Sequence, residues 1–431
     1  HRYATDERWI VPHFEKMLYD QALLALAYLE AYQLTRKEEY ARTAREIFTY
    51  VLRDMTDEQG GFYCAEDADS EGVEGKFYLW TQEEIKNILP PGEASLFLSL
   101  YQHPEDREIH GMQEMPRGHF IPHLVPDSGE IPILTDKIRQ KLFAARETRV
   151  HPLKDDKILA DWNGLMIAAL ARGTQILDEP LYLNAAQNAP DFIFTNMTDE
   201  QGELLHRWRA GDASIAGMLD DYAFVIWGLL ELYEASWQTK YLEFALRLNR
   251  QMMERYWDEK EGGLYFTQHE GEDILVRQKE AQDGALPSGN SVALLNLLRL
   301  ARITADSELE NRAAKIAEVF SAQVAQHPTA HTQLLAALDF SLGPSYEIVI
   351  AGAPENEETK EMIKTLRQIF LPNKVVLFLT LTDDKKEILK IAPFLSEFSA
   401  AGSKTKAYVC TNYSCRKPAE SVEELKNLLS G

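Results

Sequence analysis

The feature that most constrains this chain is an internal repeat. Three segments share one layout: an Asp at a helix start, a Tyr about one helix later, then an acidic turn with Gly. The first holds Asp20, Tyr40 and Asp57-Glu58-Gln59-Gly60-Gly61. The second holds Asp161, Tyr182 and Asp199-Glu200-Gln201-Gly202, and the third Asp221, Tyr241 and Asp258-Glu259-Lys260-Glu261-Gly262-Gly263. The Asp-to-Tyr spacings are 20, 21 and 20 residues, and the Tyr-to-Gly spacings are 20, 20 and 21. Such a period predicts helix pairs that bury their faces on one another around a shared core.

The two helices of a unit differ in kind. In the first unit Tyr40, Ala41, Ala44, Ile47, Phe48, Val51 and Leu52 form one stripe, with Arg42, Arg45, Glu46 and Arg53 opposite. That is an outer helix with one face in the core and one in water. Residues 223–233 of the third unit are apolar on nearly all sides, which predicts a helix buried all round. An inner ring of buried helices inside an outer ring of amphipathic ones satisfies both patterns.

A fourth unit is predicted over residues 288–302 and 308–325, followed by a helix over 329–340. Residues 81–150 are less regular, with helical pieces near 83–88 and 136–147, and read as a degenerate repeat carrying a long insertion. After Gly343-Pro344 the character changes. Strands are predicted at 346–351, 374–380 and 406–410, with helices at 355–370 and 422–429. This βαβ pattern implies parallel strands in a small attached subdomain.

The net charge of −23 argues against nucleic acid, which needs clustered Lys and Arg, and disfavours anionic membrane surfaces. A neutral polyol or sugar meets no such repulsion. Cys64 stands alone, and Cys410 and Cys415 lack the spacing of a redox CxxC. Three cysteines give no disulfide framework, so a reducing, cytoplasmic setting is expected. No apolar run approaches the ~18 residues of a membrane span. The chain opens in mid-motif at His1, without a signal peptide, and reads as a fragment of a longer protein.

Inner helices that run the same way gather their N-termini, with partial positive charge and free N–H groups, at one end. The four inner starts read HFEKMLYD (13–20), KILADWNG (157–164), GMLDDYA (217–223) and ALPSGNS (285–291). Asp20, Asp161, Asp221 and Ser288 suit N-capping. Capping does not require Trp162 and Asn163, the second acid Asp220, Tyr222, or His13 and Glu15. Carboxylates, amides and aromatic rings converging on one concave end form a polyol-binding set. Asp161, Asp220 and Asp221 are the candidate acids and bases. Trp162, Tyr222 and Tyr19 are candidates to stack on a sugar, and Asn163, Asn290 and His13 to bond its hydroxyls, with Glu15, Asp20 and Ser288 beside them.

A second acidic cluster, Glu66-Asp67-Ala68-Asp69-Ser70-Glu71-Gly72, begins like a calcium loop but has Tyr78 where that loop needs a bidentate Glu. A solvated loop is one reading. The other is a loop over the ring mouth, with Asp67 as a catalytic carboxylate, Glu66 and Asp69 as ligand contacts and Trp80 as a wall. His103, His110, His119 and His123 match no zinc spacing, so no metal is expected. Without a Walker loop, GxGxxG or GxSxG, no cofactor is expected either.

HRYATDERWIVPHFEKMLYDQA, CAEDADSEGVEGKFYLW, DDKILADWNGLMIAA, MLDDYA and DGALPSGNSVA together resemble the YyaL / spermatogenesis-associated protein 20 family. The match runs from His1 to the closing AYVCTNYSCRKP element. The resemblance implies an all-α (α/α)6 six-hairpin toroid over residues 1–342, with the insertion at about 81–150, and a small C-terminal α/β subdomain over 343–431. It also implies an N-terminal thioredoxin-like domain, upstream of His1, as an intramolecular partner. The toroid is similar to glycosidases and to N-acylglucosamine 2-epimerases, a likeness of fold that supplies no reaction.

The leading expectation is carboxylate acid/base chemistry on a carbohydrate. The first alternative is a non-catalytic ligand- or partner-binding scaffold for the thioredoxin-like domain. A sugar 2-epimerase or isomerase ranks third and requires two facing His residues. A carboxylate pair at about 5–9.5 Å across a cavity favours hydrolysis, whereas acids that all cap their own helices favour a scaffold.

Overall fold

The computed structural model describes residues 1–102, 118–124, 133–269, 276–380, 385–399, 404–411 and 413–429, so His103 and His110 lie outside the described residues. The chain forms two compact units. One comprises residues 1–20 and 64–156, the other residues 21–63 and 157–431.

The larger unit holds the repeats. Its helices are α1 (Leu18–Thr35, whose first turn belongs to the smaller unit), α2 (Glu38–Asp54), α6 (Ala160–Leu177), α7 (Pro180–Asn196), α8 (Leu219–Ser236), α9 (Thr239–Tyr256), α10 (Gly289–Thr304), α11 (Ser307–Gln326) and α12 (Thr332–Leu342). The helix numbering leaves α3 (Gln82–Ile88), α4 (Pro91–Leu100) and α5 (Ile133–Arg146) to the smaller unit. The helical-hairpin class expected from the repeats is present. In α6 every residue except Trp162 and Arg172 is buried, whereas α2 buries one face through Ala41, Ala44, Phe48 and Val51. The buried helices α6, α8 and α10 pack in sequence. Between α6 and α8 the contact is backbone to backbone. A Cβ on Gly164 would lie 2.4 Å from the Phe224 carbonyl carbon, and one on Gly228 2.6 Å from the Gly164 oxygen. Glycine is required at both positions to permit this approach.

The repeated acidic turn has a structural purpose. In each, the Asp side chain accepts backbone N–H groups two residues on: Asp57 from Gln59 at 2.8 Å, Asp199 from Gln201 at 2.9 Å and Asp258 from Lys260 at 2.9 Å. The residue after the turn is then gripped by the next inner helix. Asn163 accepts the Phe62 N–H at 2.8 Å and donates to its carbonyl at 3.0 Å. Asn290 does the same to Leu264, at 2.9 and 2.8 Å. The Tyr222 hydroxyl accepts the Leu204 N–H at 3.2 Å. Each inner helix thereby fastens the turn of the hairpin before it.

The C-terminal subdomain belongs to this larger unit. Strands Tyr346–Gly352 and Lys374–Thr380 are parallel, linked by α13 (Glu357–Gln368), as the βαβ pattern predicts. The third strand, Lys406–Thr411, is antiparallel to Tyr346–Gly352, which corrects the all-parallel expectation. The intervening segment carries α14 (Lys385–Ile391), and α15 (Val422–Leu429) closes the subdomain. The cysteine reading is corrected as well. The hairpin formed with Ser414–Cys415 sets Cys410 opposite Cys415, Cα to Cα 3.8 Å, and the two are joined by a disulfide, while Cys64 is buried outside any disulfide, its thiol on the Asp155 carbonyl at 3.4 Å. The subdomain covers the C-terminal end of α8. The Arg367 guanidinium donates to the Ala235 carbonyl at 2.7 Å, placing a cation where the helix dipole favours one.

The smaller unit holds the segment expected as a degenerate repeat with a long insertion. Its helices α3, α4 and α5 share a core of their own with Trp80, Ile85, Leu89, Phe97, Phe120, Ile138 and Leu142. A three-stranded sheet joins Lys16–Met17, Ala65–Glu66 and Lys154–Asp155. No helix among the described residues is long and apolar enough to cross a membrane.

Candidate functional site

Three segments of the larger unit converge at the N-termini of α6 and α8. The strand Ile158–Leu159 leads straight into α6 and pairs with Leu205–Arg209, which pairs in turn with Asp212–Ala216 ahead of α8. The tight turn Ala210-Gly211, both residues at positive φ, closes that hairpin. This register brings His206, on the middle strand, to the Asp221 carboxylate, with Nδ1 at 2.9 and 3.1 Å from its two oxygens. Asp221 also accepts the Asp161 N–H at 3.0 Å and the Met218 N–H at 2.7 Å. The Gly164 contact, one turn below Asp161, is what lets the two helix starts come this close.

Crowding of acids in a dry place sets their protonation. Burial, then the charge of Asp221, holds the Asp161 carboxyl well above the usual carboxylate range. Burial works against a charged His206. The hydrogen bond to Asp221 and the surrounding carboxylates outweigh it and raise the imidazole to about 9. Asp220 is pushed up to about 7 by burial and by Asp221, while the Gly289 N–H pulls the other way. A Cβ on Gly289 would lie 2.3 Å from Asp220 Oδ1, so the glycine makes room for the carboxylate.

Asp220 also borders open space. It lines a cavity of about 230 Å³ with Glu280, Gln282, Phe266 and the start of α10. That is at or below the small end of ligand sites, which run from about 300 Å³. One ligand atom each from Asp161, His206 and Asp221 falls within 4.8 Å of the others, so the triad has the donors for a divalent cation. A cation there would have to replace the His206–Asp221 hydrogen bond.

The other expected residues are placed as follows. Asn163 and Asn290 are fully buried and their amides hold backbone, so they are not turned to a ligand's hydroxyls. Tyr222, 1% exposed, lies against Tyr256 at 5.5 Å between ring centres and presents no stacking face. Ser288 caps α10, accepting the Ser291 N–H at 3.1 Å. Trp162 is half-buried beside Asp161, whose Oδ1 accepts its N–H at 2.8 Å.

The remaining candidates lie in the smaller unit. Arg2 gathers Glu15, the Tyr19 hydroxyl at 2.8 Å and Asp20 at 3.1 Å. His13 stands between Glu74 at 3.0 Å and Glu15 at 3.4 Å, with Tyr3 stacked on it. Glu66 is buried against Lys16 at 3.2 Å and the Tyr78 hydroxyl. Asp67 and Asp69 are exposed. Trp80, expected as a cavity wall, is 5% exposed in its unit's core under the Arg149 guanidinium. Sequence reasoning missed His206 and Glu280. The signal for His206 was the short alternating run Leu205–Arg209 ending in Ala210-Gly211, a hairpin feeding the Asp220-Asp221 start.

No family model matches the chain. Solved structures with some likeness include the cellobiose 2-epimerase of Bacillus thermoamylovorans, with TM-score 0.46 and 13% identity over 74% of this chain and 64% of that one. Another is the GH76 alpha-mannanase BT2949 of Bacteroides thetaiotaomicron, with TM-score 0.42 and 12% identity over 72% and 62%. In sequence, the uncharacterized protein B0495.5 of Caenorhabditis elegans is 31% identical over 100% of this chain and 63% of its own length. Spermatogenesis-associated protein 20 of Homo sapiens is 35% identical over 469 aligned residues, 100% of this chain and 59% of that protein. The chain is therefore similar along its whole length to spermatogenesis-associated protein 20, and spans 59% of the human protein's length.

Proposed function

We propose that the larger unit binds a small neutral polyol or sugar at the Asp220 cavity and acts on it by carboxylate acid/base chemistry. The observation that carries this reading is Asp220 itself, a carboxyl on a cavity wall whose pKa is pushed up to about 7. A group that titrates at the working pH gives and takes a proton with comparable ease. Glu280 on the same wall is the second carboxylate. Asp161 and Asp221, with oxygens within 4.8 Å, stand closer than the roughly 5–9.5 Å of a glycosidase pair, and Asp221 acts behind Asp220 by raising its proton affinity. The cavity volume favours a single sugar ring over a polymer.

The test is a panel of mono- and disaccharides, read by thermal shift and product analysis on the protein and its Asp220→Asn variant. Turnover of one sugar that falls about 10²-fold or more in the variant supports the assignment. Turnover unaffected by the change overturns it. A second reading, a non-catalytic scaffold for an attached thioredoxin-like domain, draws on Asp221, Asn163, Asn290 and Ser288, all committed to backbone. It requires that no sugar in the panel be transformed.

A further inference from the structure

Away from their ends, the inner helices are interrupted in their burial by Arg172 on α6, Trp227 on α8 and Leu295 on α10. All three open on one cavity of about 360 Å³, whose lining shares no residue with the acid cluster. Arg172 follows Asp161 by eleven residues, roughly 16 Å of helix rise. Its lining is charged in balance: Glu30, Glu231 and Glu234 against Arg172, Arg299 and Lys374.

The ion pairs within this wall are incomplete. Arg299 bonds Glu231 at 2.7 Å and Glu234 at 3.2 Å, and Arg172 Nε stands 4.0 Å from Glu231. Glu231 is 7% exposed and Arg299 6%, yet Glu231 Oε2 and Arg299 Nε have no hydrogen-bond partner. Lys374, also 7% exposed, gives a hydrogen bond to the Leu371 carbonyl at 3.1 Å, which leaves its ammonium with further hydrogens to donate. Buried groups of both signs with open valences are costly unless a ligand completes them. Burial, followed by the neighbouring Arg172, brings the lysine down to about 8, as expected of an ammonium short of negative partners.

We propose that this cavity binds a small zwitterion of the amino-acid class, its carboxylate on Lys374, its ammonium on Glu231 and Glu30, and its apolar part against Trp227 and Phe340. A net anion or cation would leave one unbalanced charge in a wall that now sums to zero. A neutral polyol would satisfy hydrogen bonds but return no charge to charged atoms. The volume lies within the range of ligand sites. The inference is independent of the Asp220 chemistry.

Thermal unfolding of the protein is followed with glycine, L-leucine, L-glutamate and glucose. L-Leucine at saturation raises the Tm by about 2 °C or more. The shift is lost in Lys374→Met, which keeps the side chain's bulk without its charge, and retained in Asp220→Asn. No shift with any amino acid overturns the proposal, as does a shift that survives Lys374→Met or a glucose shift that Lys374→Met abolishes. Should Lys374→Met not fold, L-leucine is expected to change the tryptophan fluorescence of the protein and not that of Trp227→Phe. An identical change in both overturns the proposal.

Discussion

Asp220 carries a tension between stability and chemistry that can be measured. Its folded-state pKa of about 7 lies above the ordinary 3.8, so the folded protein holds this proton more tightly than the unfolded chain. Stability therefore falls as pH rises from 3.8 through 7. Asp220→Asn keeps an acceptor for the Gly289 N–H and removes the buried charge. It is expected to raise stability above pH 7 by at most about 4 kcal/mol while abolishing turnover, as urea unfolding and activity assays would show. His206 has the same sign. Raised from 6.5 to about 9, it contributes stability that is full below pH 6.5 and lost as pH passes about 9. His206→Gln should flatten the fall in unfolding free energy between about pH 6 and about pH 10; an unchanged slope would count against the His206–Asp221 pair. The three acids at the starts of α6 and α8 were legible because they exceed what capping needs. The role of Asn163 was not, since composition at a helix start cannot distinguish an amide facing a ligand from one facing a turn. His206 depended on a strand register that only pairing reveals.

At the scale of elements, the acids meet because two helices touch without side chains between them. Gly164→Ala forces a methyl into the Phe224–Val225 backbone. It should destabilise by about 1–3 kcal/mol or more and displace Asp161 from Asp221. The second effect would appear as a lowered His206 pKa by NMR titration. Asn290→Ala leaves the Leu264 N–H and carbonyl without their partner and should cost about 1–3 kcal/mol, with no direct change at the Asp220 cavity. Element boundaries in the repeats were readable to within a few residues, because a helix buried on all sides and one buried on a single face have different periodicities. Residues 81–150 are harder to read for a physical reason. Short helices around a small local core show the same apolar spacing as a worn hairpin, and nothing local says that the core is separate. The antiparallel third strand was hidden likewise, since strand direction depends on the path of the chain through 381–405.

The molecule as a whole carries a net charge of −23, so self-repulsion opposes its compact state. Added sodium chloride, which shortens the screening length to about 8 Å at physiological strength, should raise the Tm. A Tm that falls with salt would mean that surface ion pairs dominate instead. The fastening of each turn by the following inner helix has a consequence for how the chain is made. A hairpin emerging from synthesis has its turn formed but not secured until the next buried helix supplies Asn163, Tyr222 or Asn290. Assembly should thus lag one hairpin behind elongation, and a chain cut short just before residue 289 would leave its last finished hairpin unlatched, the place where a protease would enter first.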